Sequence, residues 1–424
     1  MYTLSAPHER RLLWLLMLTQ FTLIMDFMVM MPLGPQIMQA FHITPAAFAT
    51  AVSAYSWCAG LSGLLAATYI DRFDRRKLML VVYALFALSN LACALADSYA
   101  LLLASRALAG ISGGVLGSIV MAIIADVIPG PRRGAATGTV MMAFSLASVL
   151  GVPAGVLLGA HSGWAAPFWL LVGLSVLIWI AGARVLPPLD QHLARRPVPW
   201  RQAFPDLFGL FTRGRYLNAF VLTLLLMVAS MLVIPFMSPV LVANHGIAPD
   251  RLSWLYMVGG AATFFTSRAI GRLADRYGKH RVFRVAVLLS IAPMLFVTHL
   301  PQIGFAAMLA FFPFFMVLMS GRMIPMQALL TTVPSPHQRG AFLSANSAVQ
   351  ALGTGCGAWL GGLMLSSPAP AGPISGYGTA GWVAVALSLL AIAWVGRVSA
   401  DGSHPQAPAS EAGRAPDALA QGEG

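Results

Sequence analysis

Charge is scarce in this chain. Asp, Glu, Lys and Arg make up 9% of its 424 residues, against 58% apolar residues and a mean hydropathy of +0.77. Soluble domains carry about 25% charged residues, so a single water-soluble core is excluded. A disordered chain, which needs low hydrophobicity, is excluded too. Lysine is nearly missing: Lys77 and Lys279 are the only two. The three cysteines, Cys58, Cys93 and Cys356, all fall inside apolar runs, so they read as small buried hydrophobes, not as disulfide partners or metal ligands. No Gly-x-x-x-x-Gly-Lys-Ser/Thr loop is present, which argues against direct ATP coupling. There is no His-Glu-x-x-His and no Cys-x-x-Cys, and the nine histidines are scattered. No metal site, cofactor or enzyme activity is expected.

What the chain does have is long apolar runs. They lie at about 12–36, 46–70, 78–96, 100–126, 135–160 and 165–186, then at about 216–243, 250–271, 282–300, 304–328, 340–366 and 379–396. Each is near the roughly 20 residues that cross a bilayer as a helix. Their continuity excludes a β-barrel, whose strands alternate over short segments. The expected fold is an all-α membrane protein of 12 transmembrane helices. The first run is too long for a cleavable leader, and no small-residue cleavage site follows it. The expected organisation is a six-helix bundle over 1–186, a basic linker over 187–215, a second bundle over 216–397, and a disordered tail over 398–424.

The net charge of +12 does not point to nucleic acid, because the arginines sit in short loops between apolar runs. With both termini on one side, 23 of the 26 basic residues fall on that side and Arg251 alone on the other, with Arg106 and Arg322 inside spans. Basic loops stay in the cytoplasm, so cytoplasmic termini are expected, in a bacterial inner (plasma) membrane. The two halves repeat. A shift of 204 residues lays Asp71-Arg72 on Asp275-Arg276, and a shift of 206 lays Gly151 on Gly357 and Gly155 on Gly361. Parallel repeats place a binding site at their interface, near the bilayer midplane.

The stretch after the second span reads Asp71-Arg72-Phe73-Asp74-Arg75-Arg76-Lys77, and its repeat runs from Gly271 through Asp275-Arg276-Tyr277-Gly278-Lys279. It resembles the signature between spans 2 and 3 of the major facilitator superfamily, Gly-x-x-x-Asp-Arg-x-Gly-Arg-Arg. Length, span number, linker and repeat agree, so the resemblance covers nearly the whole chain. In the first copy Ala67 and Asp74 stand where the family has glycine. The resemblance implies a gate. Asp71 would meet the start of span 11 near Gly340, and Asp275 the start of span 5 near Gly134, each carboxylate facing a positive helix N-terminus. Arg72 and Arg276 belong to the same motif copies, and Arg75 would pair with Asp126. These contacts would exist only with the cytoplasmic side closed. The plainer alternative is that the charges anchor loops.

Span 5 carries Gly151, Gly155 and Gly159 at four-residue spacing, with Pro153 among them. Such a stripe lets another helix approach closely, and the proline permits a bend. The run Gly-Val-Pro-Ala-Gly-Val-Leu-Leu-Gly, followed by Gly163-Trp164 and Phe168, resembles the 12-helix sugar, nucleoside and drug efflux branch. The usual arginine after the tryptophan is Ala165 here.

One acidic residue of 14 lies in mid-span, Asp26 on span 1. A charge there costs about 3 kcal/mol on insertion scales. Arg106 on span 4 is the obvious partner; counting residues from the span ends, their depths differ by roughly 6 Å at 1.5 Å per residue. Burial and a neighbouring arginine act on a carboxyl in opposite senses, so this pair suits a proton-coupling site. The rival reading is a static salt bridge that sets helix register. The segment around Arg106 also resembles the family's span 4 arginine motif, implicated in proton coupling, and Met25-Asp26 before Pro32 resembles the span 1 motif of the drug antiporters. Arg322 either faces the cavity and binds an anionic or hydroxylated substrate, or snorkels to the headgroups. Gln20, Thr22, Tyr55, Asn218, Tyr256, Gln327, Asn346 and Gln350 complete the candidate cavity lining.

The expected function is proton-coupled secondary transport by alternating access, with export of a small organic molecule (drug or metabolite) preferred. The alternatives are a proton-coupled uptake symporter and a transport-inactive sensor or scaffold. Energy would come from the proton gradient. The expected partners are the small-molecule substrate and the lipid bilayer, and the expected state is a monomer.

Overall fold

A computed structural model describes residues 5–190, 193, 209–335, 338–368 and 372–398. Most of the basic linker and the C-terminal tail lie outside the described residues. Twelve long helical segments appear among them: α1 Ala6–Val29, α2 Pro45–Tyr69, α3 Arg75–Ala94, α4 Tyr99–Val127, α5 Arg133–Ser162 and α6 Ala166–Val185. The second half has α7 Gly214–His245, α8 Pro249–Tyr277, α9 Lys279–Thr298, α10 Phe305–Leu330, α11 Arg339–Met364 and α12 Tyr377–Trp394. Ten are long and apolar enough to cross a membrane. The other two, α8 and α11, are 29 and 26 residues long but more polar. Alternate connections define a terminal face, which holds the N-terminal end of α1 and the C-terminal end of α12, and an opposite face.

Prolines decide where the helices break. Each lacks the N–H that would bond the carbonyl four residues earlier. In α5 that carbonyl belongs to Val149, inside a π-helical turn over Ala147–Gly151. In α7 it belongs to Met231, where the first helical stretch ends ahead of Pro235. In α10 it belongs to Gly321, and the helix restarts at Met323. The first span departs from the expected single run over 12–36: α1 starts at Ala6 and ends at Val29, and a short helix, Gly34–Ala40, carries the chain across the opposite face. Pro32 and Pro35 account for the break. The end of α8 departs as well. It runs through the motif to Tyr277, and the turn falls at Gly278, whose φ of 92° suits glycine. In the first copy, Asp74 replaces the turn glycine by capping α3, its carboxylate accepting from the Arg76 N–H at 2.9 Å.

Packing follows the repeat. A side chain at Gly151, Gly155 or Gly159 would collide with or press on Phe21 and Met25, Val29, and Leu33, so the α5 stripe seats α1. In the second half, Gly353, Gly357 and Gly361 of α11 seat α7 in the same way, against Leu224, Val228 and Leu232. Overfilling such an interface costs about 1–3 kcal/mol. Gly155→Leu should therefore lower the thermal unfolding midpoint and the folded yield in detergent, whereas Gly173→Leu, at a position with open space beside it, should leave both unchanged.

The apolar cores show how the halves meet. One cluster spans both halves on the opposite-face side, with Met30, Leu33, Phe48 and Val152 against Phe236, Leu255, Phe312 and Ala358. Toward the terminal face the core divides. One cluster, around Tyr83, Ile119 and Val140, belongs to the first half; another, around Phe220, Phe283 and Phe342, has its buried members in the second. The halves are joined at the opposite face and part toward the terminal face. On α2 and α11 the close approaches run from Ala49 with Gly362, through Ser53 donating to the Gly355 carbonyl at 2.8 Å, to Gly60 with Ala348. Beyond them, a side chain at Gly134, Gly138 or Gly340 would meet nothing within 4 Å.

Candidate functional site

The structure brings the two predicted mid-span charges together. The Arg106 guanidinium donates from Nη1 to Asp26 Oδ1 at 2.7 Å and from Nη2 to the Asp26 carbonyl at 3.4 Å. Their side chains are 1% and 0% exposed. Gly110, one turn beyond Arg106, has no Cβ, which lets the Tyr55 carbonyl of α2 press against α4. The Tyr55 ring lies 4.7 Å from the guanidinium and stacks on Phe27 at 5.5 Å. Its hydroxyl donates to the Leu23 carbonyl at 3.4 Å. Phe168 of α6 flanks the guanidinium at 5.9 Å. Tyr55, expected in the cavity lining, thus belongs to the charge site. Asp26 Oδ2 and Arg106 Nε have no hydrogen-bond partner among the described residues. The pair is sealed from solvent in this conformation.

The motif charges near the terminal face act within the first half. Arg75 donates to Asp126, and to Asp71 at 2.8 Å, so one buried guanidinium links the start of α3 to the end of α4. Asp71 is otherwise open, its side chain 65% exposed. Asp275 is exposed, and Arg276 lies over the Tyr277 ring. Among the described residues, neither aspartate forms an ion pair with the other half. Arg75→Met should leave two facing carboxylates unneutralised and lower the thermal midpoint, and Asp126→Asn in the same chain should recover part of the loss. Sequence reasoning missed a further tie, in which Arg132 holds Glu9 through two bonds of 3.0 Å.

Tyr55 is one of six expected cavity residues that are held in other contacts in this structure. Arg322 neither faces an open cavity nor reaches the headgroups. It is fully buried inside the second half, donating to Ser230 at 2.8 Å and to Ser290 and Ser388 at 3.4 Å. The break in α10 falls at Arg322, and its guanidinium meets these hydroxyls. Asn218 is tied to the end of the last helix. It donates to the Arg397 carbonyl at 3.5 Å, and its own carbonyl accepts from Trp394. Tyr256 is buried in the shared opposite-face core, 2.8 Å from Ser238. Asn346 clamps α11 to α7 by accepting from Thr223 at 2.8 Å, and Thr22 bonds Tyr83 at 2.9 Å. Gln20, Gln327 and Gln350 remain as half-buried polar groups. Gln327 donates to Gln350 at 3.2 Å, and Gln20 Oε1 has no partner among the described residues. Among the described residues, no group of three or more His, Cys, Asp or Glu side chains could hold a metal. Cys93 is buried, Cys58 and Cys356 are half-buried, and all three are free thiols.

The family model described as Major Facilitator Superfamily matches residues 16–241 and again 219–421. The chain belongs to that superfamily. Among its relatives is a "Probable sugar efflux transporter" of Helicobacter pylori (strain G27), 24% identical over 361 residues, covering 85% of this chain and 88% of the relative. The "Uncharacterized MFS-type transporter YfhI" of Bacillus subtilis (strain 168) is 25% identical over 384 residues, covering 86% and 89%. Among solved structures, a bacterial homolog of the human lysosomal transporter Spinster, inward-facing and occupied, superposes with a TM-score of 0.75 at 17% identity. It covers 92% of this chain and 96% of that one. A D-xylose-proton symporter superposes with a TM-score of 0.74 at 16% identity, covering 91% and 96%. The superfamily member is thus a multi-pass secondary transporter of small molecules, not an enzyme.

Proposed function

We propose that this superfamily member exports a small neutral organic solute of the sugar class from the cytoplasm in exchange for protons. The observation that carries the reading is the sealed Asp26–Arg106 pair, 2.7 Å apart, with one carboxylate oxygen free. A buried ion pair is weak evidence for stability as such. A lone titratable carboxyl inside a membrane is by default a functional group. The relatives named as probable sugar efflux transporters support the direction and the solute class. The basic terminal face supports a cytoplasmic placement of both termini.

In this reading the structure is open to the cytoplasm. Solute enters between the halves and meets the amides of Gln20, Gln327 and Gln350. Closure then brings Asp71 to the start of α11 near Gly340 and Asp275 to the start of α5 near Gly134. The opposite side parts, the solute leaves, and Asp26 meets outer water and takes a proton. Protonation removes the charge that Arg106 holds, and the proton is released inward on the return. One proton crossing about 100 mV supplies about 2.3 kcal/mol, enough for a roughly fiftyfold gradient of a neutral solute at about 1.4 kcal/mol per tenfold.

Proteoliposomes with an internal pH dye and an imposed pH gradient test the exchange, with xylose, glucose, lactose and sucrose as probes. Protons moving against the solute support it; protons moving with the solute establish uptake symport, and no solute movement leaves a sensor or scaffold. Asp71→Asn should slow turnover severalfold while sparing solute binding; unaltered turnover would remove the gate.

A further inference from the structure

A second solute site lies away from the charge pair. A pocket of about 400 Å³ opens on the opposite face between the short helix Gly34–Ala40, the end of α5 and the first residue of α8, Pro249. That volume falls within the range of about 300–1,000 Å³ usual for small-molecule sites. Pro249 belongs to the second half and the other lining residues to the first, so the pocket straddles the seam that opens during transport. No charged side chain lines it. Its polar groups are the amides of Gln36 and Gln39, and its one aromatic surface is Trp164. Gln36 Oε1 is buried and has no hydrogen-bond partner among the described residues. An enclosed acceptor without a donor carries a cost of about 1–3 kcal/mol, and turning the Gln36 amide out into the pocket would let a ligand hydroxyl relieve it.

We infer that this pocket binds a neutral polyhydroxylated solute from the opposite side and thereby holds the seam shut. The chemistry is specific in kind. Two amides offer donors and acceptors to hydroxyls, the indole offers an apolar face to ring C–H groups, and the lack of charge disfavours ions. Gly163, where an added Cβ would meet nothing within 4 Å, leaves open space beside Trp164. Trp164 also links it to the transport machinery: its ring meets Phe168 at 6.2 Å, and Phe168 lies 5.9 Å from the Arg106 guanidinium. A ligand touching both Trp164 and Pro249 favours the joined state, because parting the halves would break one set of its contacts. External solute would then slow export beyond what back-flux explains. The inference rests on the proposed solute class.

The test uses the full-length protein in lipid nanodiscs, with the same four sugars added from the opposite side. Tryptophan fluorescence is followed as a titration, and export by proteoliposomes is measured in parallel. A saturable response is expected in the unaltered chain, weakened at least tenfold by Gln36→Ala and lost in Trp164→Leu. Gln39→Ala, on the exposed rim, should weaken it severalfold and keeps the test decisive if Gln36→Ala does not fold. No saturable response, or one unchanged by these substitutions, overturns the pocket whatever the transport assay shows. A saturable response without any sugar export overturns the efflux reading and leaves the pocket standing.

Discussion

Asp26→Asn should collapse gradient-driven accumulation from roughly fiftyfold, the ratio one proton supports at about 100 mV, to unity. The substituted side chain still fits and still accepts one hydrogen bond from Arg106, but it neither titrates nor carries charge. Exchange of solute down its own gradient should continue, because the halves can still rock. Counterflow and accumulation measured on the same vesicles separate the two effects; full accumulation in the variant would disprove the proton role. Stability gives a second readout. Arg106 is 1% exposed, and taking away its counter-charge leaves a buried cation alone, a change that costs about 3–5 kcal/mol. The single variant should therefore melt well below the parent. Adding Arg106→Gln removes the lone charge, so the double variant should be more stable than Asp26→Asn alone. The non-additivity of the two changes measures the pair directly. A static salt bridge would give the same stability pattern but leave accumulation intact, so the two readouts together decide between the readings.

Most of the fold was legible because the membrane simplifies the code. Long apolar runs punctuated by Pro, Gly and Arg placed all twelve helices. The exceptions were breaks that lie beside proline but leave hydropathy unchanged, such as the split of the first span at Val29 and of α10 at Arg322. The charge pair was legible for a similar reason: Asp26 had no other mid-span acid to compete with it, and Arg106 sat at a matching depth. Arg322 was not. Its partners Ser230, Ser290 and Ser388 come from three different helices, and serine within an apolar span has no pattern that marks it as a partner. Asn218 and Tyr256 failed for the same reason, since a polar residue in a span can serve a packing contact as readily as a cavity. Helix number alone does not tell which wall a side chain faces. The joined core at one face and the divided cores at the other follow from two halves meeting across hundreds of residues, and no local segment encodes that.

Gly362→Leu should push the protein toward the conformation open at the opposite face. A Cβ added at Gly362 of α11 would fall on the Ala49 side chain and 3.2 Å from the Pro45 carbonyl oxygen and the Ala46 Cα, so a side chain there has no space while the seam is closed. Once the halves part, the same side chain meets water. The penalty therefore falls on one state only. At about 1–3 kcal/mol for overpacking, it shifts the balance by roughly 5- to 150-fold at about 1.4 kcal/mol per tenfold. The measurement is labelling of a cysteine placed at Ser53, beneath the seam, by an impermeant maleimide in a chain whose three native cysteines are replaced. Labelling from the opposite side should rise with Gly362→Leu, and turnover should fall, since the return to the joined state becomes slow. Gly340→Leu is the matched comparison. Its added side chain meets nothing within 4 Å in this conformation and would be crowded only when the terminal face closes, so labelling should stay low or drop. If both variants raised labelling alike, the substitutions would be loosening the bundle generally, and the division into one sealed and one open face would lose its mechanical meaning.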